Sequence, residues 1–258
     1  MQDNKGSDYG DIGSIFFQDG LRLGHQFTAE GINRRAIVQL MVSAYDALDG
    51  LIDSFRQRCK KEGFAVDCQK GCTWCCNQAV LASNHEILVI QQYIRESVPV
   101  NIVSEIKIRC AEKNEATREM TAMEFLHYVH PCPFLDHGSC LIYPVRPMAC
   151  RCYLSSIENS CRDQHDHPDD KTKKAALYDF PLRAGRGINE GIRSALMENE
   201  LLPSEWLLET FMAAVFEDEG ILDSWLAGNT PFNIRTLSRE ENLYLREYQE
   251  NQEDADLL

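Results

Sequence analysis

The chain has 258 residues, is 44% hydrophobic and carries a formal net charge of −14. That length suits one large domain or two small ones, and the apolar content can bury a core that does not depend on metals or disulfides as staples. No window approaches the roughly 18 consecutive apolar residues of a membrane span, and the acidic balance repels phosphate backbones, so neither membrane insertion nor broad nucleic-acid binding is expected.

Residues 1–28 form an N-terminal segment expected to be partly flexible. Its first residues, Met1 to Gly13, are polar and have no apolar run of signal-peptide type, which predicts a cytoplasmic protein. From about Ala29 to Gly63 the apolar residues Ile37, Leu40, Met41, Ala44, Leu48, Leu51, Ile52 and Phe55 recur at helical spacing. They predict a long amphipathic helix that stops near Gly63, with Cys59 as a small core residue on the same stripe. Ser83 and Glu86 make a Ser-x-x-Glu capping box for a helix carrying Ile87, Ile90 and Ile94 and ending before Pro99. Another helix starts near Asn101, with Ile102, Ile106 and Cys110 one above the other, so Cys110 also packs as a small hydrophobe.

From Pro131 to Tyr153 the helical period disappears. Pro131, Pro133, Pro144 and Pro147 lack backbone donors and fix φ, which predicts loops and short extended segments. Helical pattern returns with Ile188, Ile192 and Leu196, and again from Pro203 through Leu207, Phe211, Ala214 and Val215. A last helix is predicted from Ser238 with Glu241 as its capping partner. From Glu200 onwards there are 14 acidic and 3 basic residues, a solvated helical surface. The expected fold is mainly α: one helical cysteine-cluster domain over 29–230, with motif core 68–161, an irregular cysteine-rich layer and little strand. Residues 231–258 form an acidic C-terminal helix or tail.

Eleven cysteines without a secretion signal point to metal binding or redox chemistry rather than a disulfide framework. Cys68, Cys72, Cys75 and Cys76 are spaced C-x3-C-x2-C-C, and Gly71 permits a tight turn between them. Crowded thiolates repel one another unless a cation or cluster joins them. Cys75 and Cys76 are neighbours whose side chains diverge, so they serve two metals or one of them stands behind the other. The second group is Cys132, Cys140, Cys150, Cys152 and Cys161, with Arg146 and Arg151 nearby to stabilise anionic sulfur.

The stretches CQKGCTWCC and CPFLDHGSCLIYPVRPMACR, followed by Cys161, resemble the YkgJ-type cysteine-cluster family, whose members are described as zinc- or iron-chelating. The resemblance covers roughly a hundred residues, and its most specific element is Tyr-x-x-Arg-Pro-x-x-Cys-Arg at Tyr143 to Arg151. It implies eight metal-ligand cysteines: Cys68, Cys72, Cys75, Cys76, Cys132, Cys140, Cys150 and Cys161. Cys152 is left outside that set.

Four thiolates hold one tetrahedral zinc or one iron–sulfur cluster. Only Cys72-x2-Cys75 has a zinc-knuckle spacing, whereas the compact C-x3-C-x2-C run and the ferredoxin-like Cys132-Pro133 step favour iron–sulfur. The expected cofactor is therefore one or two iron–sulfur clusters in a redox or maturation role, with a non-enzymatic zinc module as the alternative. The run from Cys68 to Cys75, with Trp74 before the third cysteine, also has radical S-adenosylmethionine spacing, but successive helices after Ser83 disagree with that fold. A flagellin lysine methylase has a similar cysteine motif, which adds methyl transfer as a lower alternative; no cofactor-binding loop supports it. His165 and His167, in an acidic run, read as a solvated loop. His127, His130 and His137 flank Cys132 and Cys140, and one of them could enter the second site. Trp74 and Tyr143 read as packing that shields the metal from water. The sequence assigns no general base, nucleophile or protein partner.

Overall fold

The structure is a computed structural model that describes residues 9–229. Within them lie ten α-helices and four short strands, so the fold is mainly α. The helix predicted from Ser238 lies outside the described residues.

The first helix, α1 (Tyr9–Thr28), lies within the stretch read as an N-terminal segment. It packs along α8 (Asp179–Glu198) through glycines one turn apart on each helix. A Cβ added to Gly20 would lie 2.0 Å from Ile188 O, and one added to Gly191 would lie 2.1 Å from Phe17 O. Only hydrogen atoms fit there, so the two backbones run in near contact.

Helix α2 (Arg34–Glu62) follows the predicted stripe. Asn33 caps it by accepting Ala36 N–H at 3.0 Å, and it stops at Gly63. Ile37, Leu40, Met41, Ala44, Leu48 and Ile52 are buried, as is Cys59 one turn before the end. Its Phe55 packs against Tyr178 and Phe180 at ring distances of 4.9 and 5.4 Å, tying α2 to the start of α8.

Strand β1 (Leu81–Ser83) leads into α3 (Asn84–Ser97), where Glu86 accepts Ser83 N–H at 2.8 Å as the capping box requires. Helix α4 (Val100–Thr117) buries Ile106 and Cys110. A short helix, α5 (Ala122–His127), follows a second box in which Thr121 N–H donates to Glu124 at 2.8 Å. That Thr-x-x-Glu signal was legible in the sequence and was not read.

The proline-rich stretch is mostly irregular, with three small elements. Strands β2 (Leu135–Asp136) and β3 (Ser139–Cys140) pair antiparallel across His137 and Gly138, whose φ values of 44° and 75° match a two-residue hairpin turn. A 3-10 turn at Tyr143–Val145 then precedes the five-residue helix α6 (Met148–Cys152), which begins directly after Pro147. Helix α7 (Glu158–Asp166) contains Cys161 and His165, so the acidic run read as a solvated loop is helical as far as Asp166.

The helix predicted from Pro203 begins later. Residues Glu205–Leu207 are strand β4, paired antiparallel with β1 (Leu81 opposite Leu207), and α9 (Leu208–Glu217) starts only after it. Pairing with a strand far back in the chain outweighs the helical period of the segment. Helix α10 (Ile221–Leu226) closes the core with Trp225. The cysteine layer meets the helical body through α6, which lies against α2 and α8, and through the Tyr143–Val145 turn, which lies against α3.

Candidate metal centre

The turn leaving α2 carries Cys68 and Cys72. Gly71 adopts φ 93°, a conformation that residues with side chains avoid, and Cys72 N–H reaches Gln69 O at 3.1 Å. One 3-10 turn, Trp74–Asn77, then presents Cys75 and Cys76. This turn lies against α7, and a chain of hydrogen bonds of 3.1 Å each fastens the two. Asp67 N–H donates to Ser155 O, Ser155 N–H to Cys68 Sγ, Glu158 N–H to Asp67, and Trp74 Nε1–H to Glu158. Cys161, in the first turns of α7, is buried near the Ser155 and Ser160 hydroxyls, which donate to Ile157 O at 3.0 and 2.6 Å.

Cys68, Cys72 and Cys161 form one neighbourhood. Burial raises all three thiols, and each also feels another: Cys161 acts on Cys68, Cys68 on Cys72, and Cys72 on Cys161. Backbone donors work in the opposite direction, from Ser155 to Cys68 and from Trp74 to Cys72.

A second neighbourhood is built from other elements. Cys132 N–H donates to Cys76 O at 2.7 Å and His130 N–H to Asn77 O at 3.0 Å, which lays the segment before the hairpin beside the 3-10 turn. The β2–β3 pairing then returns Cys140 opposite Leu135, and Leu141 N–H reaches Phe134 O at 2.8 Å. Cys150 comes from α6, whose first N–H, that of Met148, donates to the buried carboxylate of Glu86 at 2.7 Å. Burial lifts Cys132 to about 12, raises Cys140, and puts Cys150 well above the ordinary thiol range. The charges of Cys132, Cys140 and Cys76 all act on Cys150. Here too backbone N–H groups point at sulfur, from Phe134 to Cys132 and from Ile142 to Cys140.

The two neighbourhoods meet at Cys75 and Cys76. Their thiols are hydrogen-bonded to each other, which holds Cys76 down at about 7 and Cys75 well above its ordinary value.

The two arginines are more fully engaged than the sequence reading required. Arg151 is buried over the Tyr45 ring at 4.0 Å, donates to Arg146 O at 3.0 Å and to Pro144 O, and pairs with Asp49. Arg146 reaches the same Asp49 at 3.6 Å and stacks on Tyr143 at 3.9 Å. The charges of both still favour the anionic form of Cys140. Tyr143 is 60% exposed, so it holds Arg146 rather than shielding a metal from water. Trp74, in contrast, packs edge-on against the His165 ring at 5.2 Å.

Lys113 is the residue that sequence reasoning missed. It is buried with Glu209 (Nζ to carboxylate 3.9 Å), donates to His130 O at 3.3 Å, and its charge favours ionised Cys132. The available signal was a lysine three residues after Cys110 on the apolar stripe of α4. The histidines are engaged elsewhere: His127 with Asp169 at 3.4 Å, His165 with Asp166 at 2.9 Å, and His130 stacked on Tyr128, while His137 is exposed at the hairpin tip.

Cys152 stands apart. It is buried against α8, so closely that a Cβ on Gly185 would lie 1.9 Å from its sulfur. Cys59 and Cys110 are buried as the helical stripes predicted, although Cys110 lies near enough to Cys132 to feel its charge. All eleven cysteines are free thiols.

Among the described residues, no three His, Cys, Asp or Glu side chains are already drawn together as an ion would hold them. The fit to a metal rests on donor chemistry: thiols grouped on short turns, with N–H groups aimed at Cys68, Cys72, Cys132 and Cys140. Such donors stabilise thiolate sulfur. Among the described residues no helix is long and apolar enough to cross a membrane.

The model of the CxxCxxCC family, described as "Putative zinc- or iron-chelating domain", matches residues 67–175. No curated protein and no solved structure matches the chain. The matched stretch contains the eight clustered cysteines and their Ser155, Arg146 and Arg151 supports. Residues 67–175 thus match the model of the CxxCxxCC family, the family to which the YkgJ-type proteins belong.

Proposed function

We propose that the protein holds iron–sulfur clusters on Cys68, Cys72, Cys75, Cys76, Cys132, Cys140, Cys150 and Cys161, and acts in the cytoplasm in a redox or maturation role. The observation that carries this reading is the all-sulfur donor set with backbone N–H groups directed at four of its members. Sulfur-only sets select zinc, copper(I) or iron–sulfur over hard cations. The compact C-x3-C-x2-C turn favours a cluster among these. When bound, a cluster supplies one-electron transfer at a potential set by hydrogen bonds to sulfur and by burial. The protein's own part is to offset, at several of these thiols, the burial that raises them. Backbone donors do this at both neighbourhoods, Arg146 and Arg151 do it at Cys140, and Lys113 does it at Cys132.

A zinc module is the second reading, favoured by the Cys72-x2-Cys75 spacing. Metal and acid-labile sulfide analysis of anaerobically purified protein, with a visible spectrum, decides between them. Iron with matching sulfide and a brown colour is the expected result. Colourless protein with stoichiometric zinc and no sulfide overturns the cluster reading in favour of zinc.

A further inference from the structure

The order of the cysteines along the chain does not say how eight donors are divided. The structure builds them from two separate scaffolds. Cys68 and Cys161 are tied through one residue, Ser155, whose N–H meets Cys68 Sγ at 3.1 Å and whose hydroxyl donates at 3.0 Å to Ile157 O, at the start of the helix that carries Cys161. Cys72 stands beside both, on the Gly71 turn that Trp74 and Asp67 fasten to α7. None of these bonds involves the hairpin or α6.

Cys76, Cys132 and Cys140 share a different frame. Cys132 N–H meets Cys76 O at 2.7 Å, Leu135 N–H meets Cys132 O at 2.9 Å, and the hairpin returns Cys140 opposite Leu135. Helix α6, held at its start by Glu86, adds Cys150 on the same side. Cys75 is adjacent to Cys76 on one 3-10 turn, and the two thiols meet there. With Cys76 tied to the hairpin frame through its carbonyl, Cys75 is the one donor left to complete the set of four on the Cys68 frame.

We propose that the eight cysteines form two separate four-thiolate metal centres joined through the Cys75–Cys76 peptide. One consists of Cys68, Cys72, Cys75 and Cys161, and the other of Cys76, Cys132, Cys140 and Cys150. The proposal deepens the metal-binding reading above and depends on it, whether the metal is iron or zinc. It also gives Cys75 and Cys76 a purpose as neighbours: the two centres are held at a fixed short separation by one peptide unit.

The test is metal content per chain of the full-length protein and of Cys72→Ser, Cys161→Ser, Cys140→Ser and Cys150→Ser, together with two double variants. Each single substitution is expected to remove half of the metal. Cys72→Ser/Cys161→Ser lies within one centre and is expected to lose no more than either single variant. Cys72→Ser/Cys140→Ser crosses the centres and is expected to lose all of it. Cobalt(II) titration of the metal-stripped chains supplies a second readout through thiolate-to-metal absorption. That absorption should saturate with half as much cobalt in Cys72→Ser as in the native chain, which separates a lost centre from a misfolded variant. If Cys72→Ser and Cys140→Ser each abolish cobalt–thiolate absorption while keeping the native far-ultraviolet spectrum, one shared centre replaces two. A native chain that binds neither iron, zinc nor cobalt overturns the metal reading itself, an outcome distinct from any pattern among the variants.

Discussion

The helical body and the cysteine layer are held together by different physics. Around α1, α2 and α8 the contacts are apolar and the backbones touch, with Gly20 and Gly191 leaving no room for a methyl group. Between Cys68 and Cys161 the ordering comes from discrete hydrogen bonds, such as Ser155 to Cys68 and Met148 to Glu86, on short turns. Apolar packing is spread over many atoms and tolerates the loss of a few, whereas a layer fastened by a few directional bonds can be released piece by piece. The body is therefore expected to stand without metal, and the layer to depend on it.

The strongest way to break this contrast is steric. Gly191→Leu drives a side chain into the Phe17 carbonyl, which is backbone and cannot swing away. The expected loss is roughly 3 kcal/mol or more, at the upper end for overpacked cores, read as a lowered urea midpoint with metal content lost only as the chain unfolds. A Gly191→Leu protein of native stability would mean that α1 does not pack on α8 as described.

Arg151→Met comes next, because Arg151 joins the two regions by pairing with Asp49 of α2 and bonding the carbonyls before α6. Its loss leaves the Pro144 and Arg146 carbonyls without their donor, at a cost of about 1–3 kcal/mol, while Asp49, 42% exposed, stays solvated. Unlike the glycine variant, Arg151→Met should also loosen metal binding in protein that is still folded, by misplacing Cys150. Unchanged metal affinity in the folded variant would remove Arg151 from the support of the layer.

A third test sharpens the description of the body through pH. Burial lowers His85 from 6.5 to about 4 in the folded chain, where its Nε2 lies 3.0 Å from Asn189 Oδ1. The unfolded chain therefore binds the proton more readily. The stability tied to neutral His85 is complete above about pH 6.5 and is lost as pH falls towards 4, by up to about 3 kcal/mol. His85→Gln should flatten the slope of stability against pH in that window, and an unchanged slope would assign it to other groups.

Metal removal should affect the body least of these perturbations. Chelation at neutral pH is expected to leave most of the far-ultraviolet helical signal while exposing residues 67–77 and 130–157 to proteolysis. Collapse of the helical signal on chelation would show that the body also needs the metal. The smallest effect belongs to Cys59→Ala, which removes one buried sulfur outside both thiol groups at a cost of about 1 kcal/mol and should leave metal content unchanged.

Elements whose information is local were legible from the sequence. The stripe of α2, its stop at Gly63, the capping box of α3 and the stacking of Ile106 under Cys110 each depend on residues within a turn or two of one another. The same holds for the proximity of Cys68 and Cys72 across Gly71, since a turn is a local object. Helix α1 also carries a local signal, with Phe16, Leu23 and Phe27 at helical spacing against the core; only its glycine contact with α8 depends on a distant partner.

What only the tertiary structure decided depends on partners distant in sequence. Glu205–Leu207 became a strand because β1 lies beside it, although its own pattern continued a helix. Cys161 joined Cys68 because Ser155 bonds Cys68 through its amide and, through its hydroxyl, the start of the helix that carries Cys161, and Cys152, two residues from Cys150, turned instead to Gly185. Lys113 acquired its role from Glu209 and His130. Spacing along a chain determines which residue types can converge, because bond lengths and turn geometry limit local reach. Which residues do converge is set by how the helices pack, since that alone determines which distant turns share a face.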